Sequence, residues 1–353
     1  MRVTVLTILA IGIASAIATH NFYKRLQSPV DILNLYRQDA AESADQSVSH
    51  RHKWHIGQGS SLNAVIANLN NKGVIKNPDI LKIYAKLTGR TSVQTGTYWI
   101  ENSDTEVSLL LKFNRGVVVV NKLTFPEGWN FRQWRKHLGS EEQFAHIKTM
   151  SDRELLSYLR VDIHHPEGWF FPDTYRYTDA DTLEDILGRA HDQMRSILNL
   201  SWKERDSNLP YTNPYEALIM ASIIEKETGV PKERKMISGV FINRLKKGMR
   251  LQTDPTVIYG LGDRFSGNLK RSHLKENTPY NTYLIKGLPP TPISMPGRAA
   301  IKAALNPAAH ENLYFVAKGD GSHYFSSSLK EHKRAVQKYQ IQQRKKNYRS
   351  SVE

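Results

Sequence analysis

The spacing of apolar and polar residues divides the chain into segments of different kinds. From Val3 to Thr19 no residue is charged, and this apolar run approaches the ~20 residues that a helix needs to cross a membrane. Residues 1–23 are therefore predicted to form a transmembrane anchor. A cleaved signal peptide is the alternative, because "ASA" and "AIA" supply cleavage sites, but the apolar run continues past both. Residues 24–53 are predicted to form a polar linker.

The next segment, residues 54–120, alternates between strand and helix patterns. "WHI" predicts a short strand, after which Ser60 or Ser61 caps a helix with one apolar face. A second helix, capped by Asp79, leads to the strand "GTYWIE", and a helix from Asp104 and a strand around "GVVVVNKLTF" follow. The order strand, helix, helix, strand resembles a LysM-like glycan-binding module. A generic α+β connector is the alternative.

Residues 121–340 contain one short motif twice, as "FPEGWN" and "HPEGWF". Pro-Glu-Gly-Trp forms a tight turn that presents an indole, and an indole stacks on a sugar face or fills a core. We interpret Trp129 and Trp169 as core residues by default, although the aromatic-rich second copy also suits a groove wall. Glu167 and Asp173 are candidate catalytic carboxylates, and capping of turns explains them equally well.

The stretch "NPYEALIMASIIEKETG" predicts a buried helix over residues 214–228, opened by an asparagine cap and a proline and closed by a glycine. Glu225 and Glu227 lie about 200° apart around its axis, so only one of them is expected to face a cleft. We favour Glu225, because the small Ala221 and Ser222 precede it and leave room for a ligand, whereas bulky residues precede Glu227. A half-buried carboxyl group there would have a raised pKa, which suits a general acid. A solvated last turn is the alternative.

Two later loops carry amide, carboxyl and phenol groups of the kind that bind hydroxyl-rich ligands. Their polar residues are Gln252, Thr253, Asp254, Tyr280, Asn281 and Tyr283. Ordinary turn chemistry is the alternative explanation. Further on, "ENLYFVAKGDGSHYFSSSLKEHK" predicts a strand, a glycine-rich turn, a strand and a helix, and the edge of this hairpin is expected to help line the site. Residues 341–353 are predicted to form a basic tail.

Composition narrows the class of protein. The formal net charge of +15 favours an anionic partner such as nucleic acid, acidic lipid or a polyanionic envelope polymer. The chain has no cysteine, which excludes disulfides, thiolate zinc sites and a cysteine nucleophile. It also lacks P-loop, GxSxG and HExxH patterns, so no metal or cofactor is expected. The apolar amino-terminal segment argues against nucleic acid.

Several long motifs occur in a fixed order: "ASIIEKETG", "FINRL", "MRLQTDPTVIYG", "PYNTY", "GLPP", "PISMPG" and "LYFVAKGDGSHYFS". Together they are similar to the endolytic murein transglycosylases, the YceG-like family. The resemblance covers the chain from the apolar start to about residue 340. It implies an α+β fold with a mixed catalytic domain over residues 121–340, next to the LysM-like module.

The resemblance implies an activity and a site. Members of this family cleave the β-1,4 bond after N-acetylmuramic acid within peptidoglycan strands without water, leaving a 1,6-anhydro end. The resemblance places the catalytic glutamate at Glu225. Hydrolysis of a glycoside usually needs two carboxylates, whereas in the lytic route the sugar's own C6 hydroxyl attacks and one glutamate suffices. By motif position, the expected substrate-binding residues are Asn243, Gln252, Asp254, Tyr280, Asn281 and Tyr283.

The same resemblance implies peptidoglycan strands as the substrate and peptidoglycan synthases as partners. With the anchor, it predicts a single-pass protein of the inner membrane whose catalytic domain lies on the periplasmic side. Two other classes remain open at this point. One is a membrane-anchored protein that binds the cell wall without cleaving it, and the other, favoured by charge alone, is a nucleic-acid binder.

Overall fold

The computed structural model describes residues 2–33, 35 and 51–342, and it divides the chain into two compact units. The first comprises the described part of Met1–Asn121 together with Arg176–Asp181. The second comprises Lys122–Tyr175 and the described part of Thr182–Glu353. The fold is mixed α+β, as predicted.

The first unit begins with α1 (Arg2–Leu26). Among the described residues, no helix has both the length and the apolar character needed to cross a membrane. The transmembrane anchor therefore stays a prediction. Half of the predicted linker, residues 36–50, lies outside the described residues. Its start and its end are not linker, because residues 24–26 belong to α1 and Arg51–Lys53 belong to a strand.

A two-stranded sheet and three helices form the rest of this unit. They are β1 (Arg51–Ile56), α2 (Leu62–Asn71), α3 (Pro78–Leu87), β2 (Gly96–Glu101) and α4 (Glu106–Arg115). The strands are antiparallel, with Arg51 opposite Glu101 and Ile56 opposite Gly96. Tyr98 on β2 is fully buried against Phe113 of α4, with ring centroids 4.9 Å apart. The predicted order of strand, helix, helix and strand is therefore present.

Local predictions in this unit were partly wrong. Ser61 caps α2 through its hydroxyl, as predicted, but Asp79 lies inside the first turn of α3, which begins at Pro78 after Asn77. The valine-rich stretch of residues 117–120 is not a strand, because β3 spans only Asn121–Thr124. Its β-branched residues favour extended backbone, but strand pairing also requires a partner.

The second unit is largely helical. Its helices are α5 (Phe131–Leu138), α6 (Asp152–Leu159), α7 (Leu183–Lys203), α8 (Pro214–Glu227), α9 (Arg234–Lys246), α10 (Asp254–Leu261), α11 (Arg298–Leu305) and α12 (Leu329–Val336). A short strand, β4 (Thr174–Tyr177), begins in this unit and ends in the first one. The antiparallel hairpin of β5 (Tyr314–Ala317) and β6 (His323–Ser326) lies between α11 and α12.

Helix α8 runs through the core of this unit. The side chain of Asn213 caps it by accepting a hydrogen bond from the backbone of Glu216, and Pro214 occupies its first turn, as predicted. All eight residues from Ala217 to Ile224 are buried. They pack against α7, α9 and α11. Burial of each large apolar side chain stabilises the fold by about 1.5–3 kcal/mol, so the position of α8 is well determined.

The two Pro-Glu-Gly-Trp motifs form turns, each with its glycine in the left-handed region, at φ +78° for Gly128 and +84° for Gly168. Both tryptophans pack inside the unit. Trp129 contacts His137 edge to face at 5.6 Å, and Trp169 stacks on Tyr215 with centroids 5.6 Å apart. The default prediction of a packing role agrees with these contacts.

Candidate active site

The last turn of α8 sends three charged side chains in different directions, because successive residues on a helix are about 100° apart. Glu225 contacts Arg234 of α9. Lys226 donates a hydrogen bond to the carbonyl of Gly128 at 3.2 Å. Glu227 accepts a hydrogen bond from the hydroxyl of Thr253. The three side chains therefore have different partners: a guanidinium group, a backbone carbonyl and a hydroxyl group.

Glu225 is enclosed by an ion pair. Its side chain is 6% exposed, and Arg234 Nη2, on a side chain that is 12% exposed, lies 3.3 Å from Oε1. The backbone N–H of Gly297 donates to Oε2 at 2.9 Å. A third charged group, Glu127, interacts electrostatically with both partners of this ion pair. Burial and the Glu225 charge raise the pKa of Glu127, and the Arg234 charge lowers it. Glu225 thus belongs to a compact charged cluster, and it lines neither the cavity of about 480 Å³ that Glu227 lines nor the cleft of about 870 Å³ that Glu167 lines.

Glu227 instead lines a cavity of about 480 Å³, which we call the Glu227 cavity. Its walls are formed by the end of α8, the loop before α10, the β5–β6 hairpin and α12. Its polar lining residues include Glu227, Arg244, Gln252, Asp254, Tyr283, Tyr314 and His323. Three of the six predicted substrate-binding residues are among them, and the hairpin contributes as the sequence predicted.

The electrostatics of this cavity suit an acid. Burial raises the pKa of Glu227 to about 7, the Thr253 hydroxyl that donates to its carboxylate opposes this rise, and the nearby Asp254 charge adds to it. At neutral pH a large fraction of Glu227 therefore carries a proton. The Tyr283 hydroxyl donates to Asp254 Oδ1 at 2.7 Å, and burial is the main cause that raises the pKa of Tyr283. Tyr283 consequently remains a neutral hydrogen-bond donor.

The loop that carries Gln252 is held in a strained conformation. Gln252 has a φ of +52°, which is unfavourable for a residue other than glycine by about 1–3 kcal/mol. Its backbone N–H donates to Thr282 O at 3.1 Å, and Arg244 Nη1 donates to Leu251 O at 2.8 Å and to Gln252 Oε1 at 3.3 Å. These bonds keep the strained residue at the cavity wall, as is common at functional sites.

The other three predicted substrate-binding residues lie outside this cavity and stabilise loops instead. Asn243 donates to the carbonyls of His310 at 2.7 Å and Asn312 at 3.1 Å. Asn281 is fully buried and donates to backbone carbonyls, the shortest bond being 2.7 Å to Glu276 O. Tyr280 shares a 2.8 Å hydrogen bond with Thr291. Their polar groups are used within the protein, which the sequence motif did not reveal.

The carboxylates considered as alternatives also have structural partners. Asp173 accepts a hydrogen bond from Gln193 at 3.0 Å. Glu167 lines a second cleft of about 870 Å³ and accepts bonds from the Phe131 backbone N–H at 3.0 Å and the Tyr259 hydroxyl at 3.0 Å. Burial is the main cause that raises the pKa of Glu167 to about 8. Glu167 therefore joins the two repeated turns as a neutral hydrogen-bonding group.

Sequence reasoning missed Thr253 as a partner of Glu227 and missed Arg244 and His323 altogether. A threonine directly before Asp254 was visible as part of a polar loop, but nothing local connected it to the end of α8. The described residues contain no group of three or more side chains suited to hold a metal ion.

A buried helix that presents one protonatable glutamate to a polar cavity, on an α+β scaffold, describes an enzyme domain that uses acid catalysis. The chain belongs to the YceG-like family, whose model matches residues 54–338, and this confirms the family that the motifs predicted.

Named relatives support the same assignment. The chain is 32% identical over 324 residues to the endolytic murein transglycosylase of Bacillus subtilis (strain 168), covering 86% of this chain and 89% of the relative. It is 28% identical over 316 residues to the endolytic murein transglycosylase of Streptococcus pneumoniae (strain ATCC BAA-255 / R6), covering 80% of this chain and 57% of that longer protein.

A crystal structure of a yceG-like protein from Listeria monocytogenes is also similar, with a TM-score of 0.50 and 33% identity over 80% of this chain and 98% of that one.

Proposed function

We propose that this protein is an endolytic murein transglycosylase that cleaves the β-1,4 bond between N-acetylmuramic acid and N-acetylglucosamine within peptidoglycan strands. The observation that carries the proposal is the Glu227 carboxyl group, with its pKa raised to about 7, in a polar cavity lined by Gln252, Asp254 and Tyr283. The names of the relatives supply the substrate class.

We further propose that Glu227, rather than Glu225, is the catalytic acid. A general acid must reach the leaving oxygen and hold a proton near neutral pH. Glu227 lines the cavity and has the raised pKa, whereas the Glu225 carboxylate is occupied by Arg234 and by the backbone of Gly297. This proposal differs from the sequence-based prediction of Glu225 by two residues on the same helix.

The reaction proposed for this geometry uses one carboxyl group twice. Glu227 donates its proton to the glycosidic oxygen as the bond to C1 of the muramic sugar breaks. The negative charge of Asp254 favours the positive charge that develops at C1. The C6 hydroxyl of the same sugar then attacks C1 and gives its proton to the Glu227 carboxylate, which restores the acid and leaves a 1,6-anhydro ring. No water is consumed.

The proposed function is tested by identifying the products. Purified protein beginning at residue 51 is incubated with uncrosslinked glycan strands, and the fragments are analysed by mass spectrometry. We expect internal fragments that end in 1,6-anhydro sugar. Fragments with reducing ends would instead indicate a hydrolase in which Asp254 is the second carboxylate. Intact strands that remain bound to the protein would favour a cell-wall binding protein.

We propose that residues 1–23 anchor the chain in the inner membrane with the catalytic unit on the periplasmic side. The uncharged run from Val3 to Thr19 supports this location, which also brings the enzyme close to peptidoglycan synthases. Full-length protein is expected in the membrane fraction after washing with carbonate, and a chain beginning at residue 24 is expected in the supernatant. Equal recovery of both in the supernatant would contradict the anchor.

The strand, helix, helix, strand order of the first unit supports a LysM-like role in binding glycan. We propose that this unit increases the affinity of the protein for strands. Deletion of residues 54–115 should then lower the amount of protein that sediments with purified sacculi. Unchanged sedimentation would contradict a binding role for this unit.

A further inference from the structure

One histidine in the wall of the Glu227 cavity has no role in the proposed reaction. His323 lies on β6 and lines the cavity together with Glu227. Its side chain is only 3% exposed, and the ring of Phe315 packs against it edge to face, with centroids 5.4 Å apart. A polar ring buried to this extent normally has a hydrogen-bond partner for each nitrogen.

The Nδ1 nitrogen of His323 has such a partner within the protein. The carboxylate of Glu233 receives two bonds from His323, from the backbone N–H to Oε1 at 2.9 Å and from Nδ1 to Oε2 at 2.7 Å. An ionised carboxylate only accepts hydrogen bonds, so Nδ1 must carry the hydrogen. In the neutral imidazole Nε2 is then an acceptor. Glu233 therefore sets both the orientation and the tautomer of this ring.

The other ring nitrogen of His323, Nε2, is available to a ligand. Within residues 51–342, which the structure describes continuously, Nε2 of His323 makes no hydrogen bond to the protein. The bond to Glu233 uses Nδ1 and not Nε2, and because the residue lines the cavity, Nε2 is the ring atom that can still accept a hydrogen bond from a molecule there. Amino sugars offer hydroxyl and acetamido N–H donors that match such an acceptor.

We propose that His323 is a substrate-contacting residue whose Nε2 accepts a hydrogen bond from a hydroxyl or acetamido N–H of the glycan in the Glu227 cavity, and that Glu233 is its positioning residue. This inference rests on the proposed function, because it requires a glycan strand to occupy this cavity. It adds a recognition group on the β5–β6 hairpin, more than 90 residues after the acid in the chain.

Two amide substitutions separate contact with substrate from a structural role. His323→Asn places an amide nitrogen near the position of Nδ1, so it retains a donor for Glu233 but has no atom at the position of Nε2. His323→Gln does the reverse, because its amide reaches the position of Nε2 and leaves Glu233 without the side-chain donor. The two variants are similar in polarity and differ mainly in which bond they keep.

We expect His323→Asn to raise KM for a soluble glycan oligosaccharide about tenfold, with kcat changed less than about threefold, as for one lost hydrogen bond. His323→Gln should raise KM less than His323→Asn does, because it keeps a polar group at the position of Nε2 and loses only the side-chain bond to Glu233. The opposite order, with His323→Gln impaired and His323→Asn normal, would overturn the proposal and indicate a purely structural bond. The exposed His146, changed to asparagine, is the matched control and should leave KM unchanged.

The positioning role of Glu233 is tested in the same assay. Glu233→Gln should raise KM less than His323→Asn does, and combining the two should raise it no further, because both act through one contact. Additive effects would contradict a positioning role.

A further experiment distinguishes failure of the Glu227 assignment from failure of the His323 contact. Cleavage by Glu227→Gln would refute Glu227 as the acid without affecting the KM comparison. In the Glu227→Gln background, isothermal titration with an N-acetylglucosamine–N-acetylmuramic acid tetrasaccharide should give a Kd about tenfold weaker when His323→Asn is added. An unchanged Kd would overturn the contact.

Discussion

Replacement of Glu227 by glutamine is expected to lower kcat for strand cleavage about 10³-fold, because glutamine keeps the shape of the side chain but cannot donate a proton. Glu225→Gln is the matched comparison, two residues away on the same helix. It should retain activity within about tenfold, since its carboxylate pairs with Arg234 and does not line the Glu227 cavity. The measurement is the release of 1,6-anhydro ends from glycan strands by each purified variant.

The two variants should also differ in stability. Glu225→Gln removes one partner of an ion pair in which both side chains are largely buried, and this leaves Arg234 without its carboxylate. Loss of a buried partner costs about 3 kcal/mol, so this variant should unfold at a lower urea concentration. If Glu225→Gln abolishes cleavage while it remains folded, and Glu227→Gln remains active, the original sequence-based choice is correct.

The same assignment determines how the reaction depends on pH. The acid must be protonated, so kcat/KM should be highest below the pKa of about 7 and should fall as the pH rises through it. Thr253 donates to the Glu227 carboxylate and thereby lowers this pKa. Thr253→Val should therefore move the fall in kcat/KM to higher pH. A profile that is identical in wild type and Thr253→Val would exclude Glu227 as the titrating group.

The second large expected effect is a dependence of the stability of the second unit on pH, which results from the titration of Glu167. Burial raises its folded-state pKa to about 8 from an ordinary value of 4.5. Because the folded pKa is raised, its contribution to stability is complete below pH 4.5 and is lost as the pH rises through 8. Each pH unit in this window is worth about 1.4 kcal/mol, so the free energy of unfolding should fall by roughly 4 kcal/mol between pH 5 and pH 8.

Glu167→Gln should remove the part of this dependence that Glu167 causes and leave the part that comes from Glu227, because the amide does not titrate while it still accepts a hydrogen bond from the Phe131 backbone. The measurement is urea unfolding followed by tryptophan fluorescence between pH 5 and pH 8.5. An exposed residue, Glu142, changed to glutamine, is the control and should give a curve parallel to that of wild type. A Glu167→Gln curve that is also parallel to wild type would contradict the raised pKa.

Much of the architecture was predictable because it depends on neighbours in the chain. The asparagine cap and proline that begin α8 act within one turn, and the run of apolar residues that follows requires burial wherever the helix lies. Ser61, which caps α2, is another such local signal. The strand predicted around residues 116–125 is present only as β3 (Asn121–Thr124), because the length of a strand depends on its pairing with distant segments, which no local pattern supplies.

The site was predictable only as a set of loops. The motifs selected loops from which Gln252, Asp254 and Tyr283 line one cavity. Asn243 and Asn281 have the same chemical character, but their amides bind carbonyls that lie up to 69 residues away. An amide that binds substrate and an amide that holds a loop cannot be distinguished in a sequence. Only the folded structure determines whether the amide lies next to a backbone carbonyl or at a cavity.

The family, the mixed α+β fold and the presence of a buried helix ending in two glutamates follow from the order of residues alone, since motifs, caps and apolar periodicity are local properties. The choice between Glu225 and Glu227 does not. Helical geometry separates them by about 200°, but Arg234 and the Gly297 backbone, the latter 72 positions further along the chain, occupy one carboxylate. Thr253, Asp254 and the β5–β6 hairpin surround the other. The environment of a carboxyl group sets its pKa and its access to substrate, and that environment is assembled only when distant segments pack together.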